Sequence, residues 1–338
     1  MRIVRDKDEC LLIAKDLYVK NKSEFLSSWR VKKLLDEFFI PDSYFFFKDE
    51  NYVLPIVEKN SKCYFFGGDL PFNDYNLVPE SSDILNFALN KLSRMGLDFR
   101  LTSIKRDYID FLDNDLKMFD VPFNQNWVID NISNFDVDSF ILSQKKKKRD
   151  KIKRSYRILD NFKFLDVSND EYQKKYLSKI FALSCENFSK RGKENCWEKS
   201  FPLYCKFFNL LFDNKLKSTN RILINKETDE IVASYNLVLD DREVFLSFSN
   251  CYNMSLEYLQ FLIYVDIIRS AASLAKGAGD HVYLNAGRGN FGYKSRMGFK
   301  PQPMYAIVKD KSWTIQRDGD IEPDKLRLLY GRDFGCFL

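Results

Sequence analysis

Histidine is almost absent from this chain, since His281 is the only one among 338 residues. One imidazole cannot form a His-rich metal site, and a catalytic triad would have to be built on that residue alone. The seven cysteines are odd in number, and no two of them form a C-x-x-C pair. This pattern disfavours a disulfide framework or a zinc site and fits free thiols in a reducing compartment. We therefore expect no bound metal.

Long apolar segments are also lacking. No run of 18 apolar residues occurs, so we expect no membrane-spanning helix. Residues 1–9 are charged and contain no apolar stretch, which is unlike a signal peptide. Lys and Arg together number 53 against 48 Asp and Glu, and a net charge of +5 is too mild to indicate a nucleic-acid partner by itself. The expected location is the cytoplasm.

The length and the hydrophobic content of 45% favour two domains with buried cores. Apolar periodicity predicts helices, three turn-linked strands, a helix and a further strand, and this order occurs twice. Strands joined by short turns are antiparallel, and the repeated order indicates a duplicated α/β (α+β) domain. The first copy comprises helices within 1–40, strands 44–47, 52–57, 62–66 and 99–102, and helix 81–96. The second comprises helices 172–189, 201–212 and 257–275 and strands 221–224, 231–239, 243–252 and 281–284.

A glycine-rich stretch interrupts the last of these strands. Gly287, Gly289 and Gly292 lie within six residues, and glycine tolerates a positive φ and close backbone approach. A helical turn is predicted from Tyr293, ending at Gly298. A strand, a glycine-rich turn and a short helix can present backbone N–H groups to an anion, although the same pattern also suits a plain tight connection.

Two other segments are candidates for binding. The loop 67–76 ends in four polar residues, Asn73, Asp74, Tyr75 and Asn76, which suit either hydrogen bonding to a ligand or an ordinary turn. Residues 145–157 hold nine basic side chains and one acid, Asp150. That segment is open to three interpretations: a solvated helix face, a surface for the phosphates of a cofactor or sugar nucleotide, or a tRNA-binding arm.

The motif Tyr293-Lys294 followed by Met297-Gly298-Phe299 resembles the last motif of the GNAT acyltransferases. Gly287-Arg288-Gly289 before it is similar to the FemAB-like branch, whose members often carry two GNAT-like domains. The basic segment 142–159 resembles the helix that opens the second domain in that branch. The resemblance implies two GNAT-like domains, each a mostly antiparallel mixed sheet flanked by helices, with a cleft between them. The expected ranges are 1–139, 140–309 and a C-terminal extension, 310–338.

This resemblance implies an N-acyltransferase. Its expected reaction moves an acyl group from acyl-coenzyme A to the amine of a nucleotide-linked amino sugar, for O-antigen or capsule synthesis, by direct attack of the amine on the thioester. Coenzyme A would be a co-substrate, and no tightly bound cofactor is expected. Two alternatives stay open: a FemX-like transferase that uses aminoacyl-tRNA and a peptidoglycan precursor, and a non-catalytic GNAT-like binding protein.

The resemblance also suggests site residues. Tyr293 is the expected acid for the leaving thiolate because the family places a tyrosine on that short helix; the alternative is a buried aromatic. His281 suits a general base by its ordinary pKa, and Asn250 lies on a strand of the expected cleft. The helix start at Glu257 departs from the family pattern, because a carboxylate there repels an anion. We therefore expect the glycine-rich turn 287–292 or the basic helix to bind the pyrophosphate of coenzyme A. The expected substrate-binding residues are Asn73, Asp74, Tyr75, Asn76, Asn285 and Tyr252. The expected coenzyme A-binding residues are Gly287, Arg288, Gly289, Lys294, Lys148 and Arg149.

Overall fold

A computed structural model describes most of the chain and divides it into two compact units. The described residues are 1–21, 25–68, 70, 76, 82–105, 124–190, 196–212, 216–251, 257–279, 281–288 and 292–309. The first unit comprises residues 1–125 and 302–338, and the second comprises residues 126–301. Each unit has its own sheet with helices packed against it.

The first unit is built on six strands in the order β1-β2-β3-β4-β5-β12. All neighbours pair antiparallel except β4 and β5, which pair parallel. Its strands are β1 (Arg2–Val4), β2 (Ser43–Lys48), β3 (Val53–Lys59), β4 (Lys62–Phe65), β5 (Asp98–Lys105) and β12 (Lys300–Lys309). Its helices are α1 (Lys7–Lys20), α2 (Trp29–Phe39) and α3 (Ser82–Arg94).

Two apolar cores form on the first sheet because its strands alternate their side chains between the two faces. Phe45 and Phe47 of β2 pack in one core together with the apolar residues of α3. Tyr44 and Phe46 of the same strand pack in the other core with α1. The sheet is therefore covered by helices on both faces.

The second unit contains six strands in the order β6-β11-β10-β9-β8-β7. Its strands are β6 (Asn124–Ile129), β7 (Phe162–Val167), β8 (Lys217–Asn225), β9 (Ile231–Asp240), β10 (Glu243–Cys251) and β11 (Tyr283–Arg288). Its helices are α4 (Val137–Leu142), α5 (Lys146–Leu159), α6 (Asn169–Glu171), α7 (Leu177–Lys190), α8 (Cys196–Leu211), α9 (Glu257–Ala275) and α10 (Gly292–Ser295). A π-helical turn, Tyr172–Tyr176, joins α6 to α7. The long helix α9 lies in the main core with residues of β8, β9, β10 and β11.

The prediction of two mixed α/β sheets flanked by helices is confirmed, and α9 has the predicted bounds. Three details of the sequence interpretation were wrong. The short strand β1 and the strand β7 were not expected. β11 continues through Gly287 to Arg288 instead of ending at residue 284, because a bulge absorbs the glycine. His281 does not begin a strand; it lies in a turn with φ of 66°.

The two units also differ from the expected domain ranges at two strands. All paired residues of β6 from Asn126 onward lie in the second unit, and β12 pairs with β5 in the first. Contacts between strands distant in sequence decide such membership, and local periodicity carries no information about them. The boundaries of the folding domains stay a prediction, and the C-terminal extension from residue 310 lies outside the described residues.

Candidate active site

The two central strands of the second unit separate part of the way along their length. β10 and β11 pair in parallel at Glu243–Tyr283, Val244–Leu284 and Phe245–Asn285, and the pairing ends there. β10 continues to Cys251 and β11 to Arg288. Beyond this point residues 246–251 of β10 and 286–288 of β11 no longer pair with each other, although each keeps its other neighbour. Because these two segments lie in the second unit, we call them the second split. A split of this kind releases backbone groups that would otherwise bond to the neighbouring strand.

A bulge shapes β11 at the second split. Its register against β6 shifts between Asn285 and Arg288, and Gly287 has φ of 72°. Asn285 supports this bulge through both ends of its amide. Its Oδ1 accepts a hydrogen bond from the backbone N–H of Gly287 at 2.8 Å, and its Nδ2 donates to Oε1 of Glu243 at 2.7 Å. Both side chains are buried, Asn285 at 0% exposure and Glu243 at 1%.

Lys294 on α10 binds the backbone carbonyls of the same bulge. Its Nζ donates to the carbonyl oxygen of Ala286 at 2.7 Å and to that of Gly287 at 3.4 Å. The residue is 3% exposed, and burial lowers the pKa of its amine from the ordinary value to about 7. Burial has this effect because removing water penalises the charged form. An amine whose pKa lies near 7 can exchange a proton in either direction at neutral pH.

The two basic residues expected to bind phosphate make contacts within the second unit. Nζ of Lys148 donates to Oε1 of Gln144 at 2.8 Å and to the carbonyl oxygen of Arg296 at 2.7 Å, and burial lowers its pKa. Arg149 donates to the carbonyl oxygen of Leu142 at 2.8 Å. These contacts tie α5 to the end of α10 and to α4. Six basic residues of the segment 145–157 are exposed: Lys145, Lys146, Lys147, Lys153, Arg154 and Arg157.

The first unit has a comparable split. β4 and β5 pair in parallel at Lys62–Asp98 and Cys63–Phe99 and then separate. Here Asn76 binds the separated strand: its Nδ2 donates to the carbonyl oxygen of Thr102 at 3.1 Å, and its Oδ1 accepts from Nζ of Lys32 at 3.0 Å. Thr102 and Lys32 are buried, as is Asn76 at 4% exposure. We call the separated part of this pair the first split.

The remaining expected site residues are distributed unevenly. Asn250 and Arg288 lie on the strands of the second split and Tyr293 lies on α10, but their side chains are outside the described part of the structure. Asn73, Asp74, Tyr75, Tyr252 and Gly289 also lie outside the described residues. His281 is exposed and precedes the paired segment of β11, whereas the split follows that segment. The fold therefore does not bring His281 to Lys294.

Two buried residues near the second split were not recognised in the sequence. Glu243 opens β10, and a charged residue at a strand start ordinarily indicates solvent. Asn126 on β6 pairs with Arg288 of β11 and is 1% exposed. Neither its amide oxygen nor its amide nitrogen has a hydrogen-bond partner among the described residues. Only the strand register reveals that these two side chains are inside the fold.

The described residues contain no group of three or more His, Cys, Asp or Glu side chains that could hold a metal ion. Within the same part of the chain, no helix is both long enough and apolar enough to span a membrane.

Each unit is thus a mixed α/β arrangement in which two parallel strands separate and helices pack against the strands. No protein-family model matches the sequence, and no curated protein matches it either. Several solved structures share the fold. The C-terminal domain of a putative lysylphosphatidylglycerol synthetase from Agrobacterium fabrum has a TM-score of 0.55 and 11% identity, over 97% of this chain and 96% of that one.

Two further solved structures are similar over most of their length. The L-PGS of Bacillus licheniformis has a TM-score of 0.51 and 11% identity, over 96% of each chain. FemX has a TM-score of 0.51 and 9% identity, over 92% of this chain and 98% of FemX. At such identities the similarity concerns the fold.

Proposed function

We propose that this protein is an acyltransferase that forms an amide between an acyl group and an amine at the second split. The observation that carries the proposal is the amine of Lys294, buried against the carbonyls of Ala286 and Gly287 where β10 and β11 separate. Burial lowers the pKa of this amine to about 7. Acyl transfer to an amine needs a group that can exchange a proton at neutral pH.

The reaction balances with one proton moved. The nitrogen of the acceptor amine attacks the carbonyl carbon, an N–C bond forms, and the bond from carbon to the leaving sulfur or oxygen breaks. The nitrogen loses one proton and the leaving atom gains one. We assign Lys294 to proton transfer in preference to phosphate binding, because its amine is buried against two backbone carbonyls and burial disfavours its charged form. Tyr293, next to it on α10, is the proposed acid at the leaving atom.

The first candidate donor is acyl-coenzyme A, and the first candidate acceptor is a nucleotide-linked amino sugar. In this proposal Asn73, Asp74, Tyr75 and Asn76 contact the sugar hydroxyls. Of these four, Asn76 is described: its amide bonds to the carbonyl of Thr102 and to Lys32.

The second candidate donor is aminoacyl-tRNA. One observation favours it: α5 carries a row of exposed basic residues, while Ile152 of the same helix is buried. These exposed residues are Lys146, Lys147, Lys153, Arg154 and Arg157. A row of exposed cations suits the phosphates of an RNA. The names of the similar solved structures, lysylphosphatidylglycerol synthetase and FemX, belong to proteins of the same fold and are compatible with aminoacyl transfer.

Two assays on the whole chain test the proposal. One measures release of free coenzyme A from short acyl-coenzyme A donors with a panel of nucleotide-linked amino sugars. The other measures transfer of a labelled amino acid from aminoacyl-tRNA to a peptidoglycan precursor. We expect transfer in one of the two, and a loss of about 100-fold in kcat for Lys294→Met.

Lys300→Met is the matched control, because Lys300, the first residue of β12, still lies in the second unit and is an exposed lysine that pairs with Asp130 at 2.8 Å. This variant should keep full activity. Lys146→Glu together with Arg154→Glu should weaken transfer only if tRNA is the donor. An absence of transfer in both assays, with ligands that bind, would replace the acyltransferase proposal by a binding role.

A further inference from the structure

Glu243 is a buried acid to which the proposed chemistry gives no part. The residue is 1% exposed, and burying a carboxyl group is unfavourable unless it is hydrogen-bonded. Its hydrogen bond to Asn285 links it to the second split, because Asn285 is the last residue of β11 that pairs with β10.

The strand register explains how the two side chains meet. Glu243 pairs with Tyr283, and Asn285 lies two residues further along β11. Alternate residues of a strand share one face of the sheet, so Glu243 and Asn285 point to the same side. Val244 and Leu284 between them point into the core that contains α9. The contact between acid and amide therefore follows from the pairing of the strands and does not depend on a flexible loop.

We propose that Glu243 is a positioning residue, which through Asn285 holds the bulge at Ala286 and Gly287 in the shape that receives the amine of Lys294. A carboxylate can only accept hydrogen bonds, so it orients the amide of Asn285 with Nδ2 toward Glu243. The same orientation turns Oδ1 of Asn285 toward the N–H of Gly287. With that N–H fixed, the carbonyls of Ala286 and Gly287 face Lys294.

The influence of Glu243 on Lys294 passes through these hydrogen bonds and not through its charge. Burial is the cause of the lowered pKa of Lys294, and the charge of Glu243 is not among the causes of that shift. A change that keeps the acceptor but removes the charge should therefore leave the amine unaltered. A change that removes the acceptor should release the bulge and expose the amine to water.

Competitive trace acetylation of the whole chain, followed by mass spectrometry across a pH series, measures the pKa of the Lys294 amine. We expect Glu243→Met, which keeps the volume but replaces the carboxylate by a weak thioether acceptor, to raise that pKa by about one unit or more toward the ordinary lysine value. Glu243→Gln keeps the acceptor and should retain the wild-type pKa. If a transfer assay detects activity, the acidic limb of its pH–rate profile should shift together with the pKa of the Lys294 amine.

Tyr235→Phe is the matched control, since it removes buried hydrogen bonds to Asp266 and Ser270 elsewhere in the same unit. It should lower stability without changing the pKa of Lys294. The proposal is overturned if Glu243→Met leaves that pKa at its wild-type value while the chain stays folded. If that variant does not fold, Asn285→Thr serves instead, because its short hydroxyl cannot bridge Glu243 and Gly287 together.

The part of this inference that concerns catalysis rests on the proposed function, but its test does not. Acetylation reports the environment of Lys294 whether or not a substrate is found. A failure of both transfer assays would therefore overturn the proposed function and leave the acetylation result to decide the role of Glu243.

Discussion

In both units a side chain donates hydrogen bonds to backbone carbonyls where two parallel strands separate, but the two units use different side chains. In each, a parallel strand pair separates, and the separated strand bends at a residue with positive φ, Ser103 in the first unit and Gly287 in the second. The freed carbonyl of the first split receives the amide of Asn76, with Lys32 behind it. The freed carbonyls of the second split receive the amine of Lys294 directly.

This difference separates a structural junction from a candidate reactive centre. An amide cannot titrate near neutral pH, so Asn76 closes the first split with a group that exchanges no proton. Lys294 places a titratable nitrogen at the second split. The same strand arrangement thus carries different chemical groups in the two units, an amide in the first and an amine in the second.

Glycine substitutions should give the largest contrast between the splits. Gly68 follows β4 with φ of 70°, and a Cβ there would overlap the ring of Phe39. We expect Gly68→Ala to cost about 4 kcal/mol or to prevent folding, because a buried ring cannot yield. Gly287→Ala in the second split has positive φ but open space, so it should cost about 1 kcal/mol. Urea unfolding of both variants tests this, with Gly96→Ala as the open-space control in the first unit.

Removing the amide of the first split should have the next largest effect. Asn76→Leu leaves the carbonyl of Thr102 without that donor and takes one acceptor from the buried amine of Lys32. We expect a loss of about 3 kcal/mol, since buried groups that lose a partner are strongly destabilising. Hydrogen exchange should show the loss in β5. Asn90→Leu, at an exposed position of α3, should change stability by less than about 0.5 kcal/mol; an equal loss there would contradict the assignment.

Lys294→Met should alter the pH dependence of stability. The folded pKa of Lys294 is about 7, below that of an unfolded lysine, so between these values the unfolded state binds more protons. The wild-type chain therefore gains stability over this range as the pH rises, and the variant lacks that gain. We expect the difference in unfolding free energy between the two chains to change by about 2 kcal/mol from pH 7 to pH 9. A difference in unfolding free energy that stays constant from pH 7 to pH 9 would mean that the amine of Lys294 is exposed to water.

Asp36 in the first unit should show the opposite and smaller dependence. Burial raises the pKa of its carboxyl to about 6, and Tyr44 donates to it at 2.8 Å. Between the unfolded pKa near 4 and this value the folded state holds more protons, so stability falls as the pH rises. Asp36→Asn keeps an acceptor for Tyr44, and because the amide does not titrate, its stability should not fall in this way as the pH rises. We expect the variant to gain about 1 to 2 kcal/mol on the wild type between pH 4 and pH 6, measured by urea unfolding.

Local pattern predicted most of the secondary structure of this protein. The apolar periodicity of α9 predicted its bounds, and turn residues between short strands predicted the antiparallel pairing of β8, β9 and β10. The duplicated order predicted two sheets with flanking helices. These features depend on side chains close together in the sequence, where periodicity reports burial directly.

Tertiary structure alone decided what the candidate site contains. Lys294 was recognisable as a motif residue, but its lowered pKa depends on burial by distant segments. Lys148 was expected to bind an anion, and packing brings its amine to the carbonyl of Arg296, a contact that its sequence position does not reveal. Glu243 and Asn285 meet through strand register, which the sequence of either strand does not reveal. Hydrogen bonds and desolvation are properties of the assembled sheet, so the sequence by itself determined the elements, and their pairing determined the chemistry available at the split.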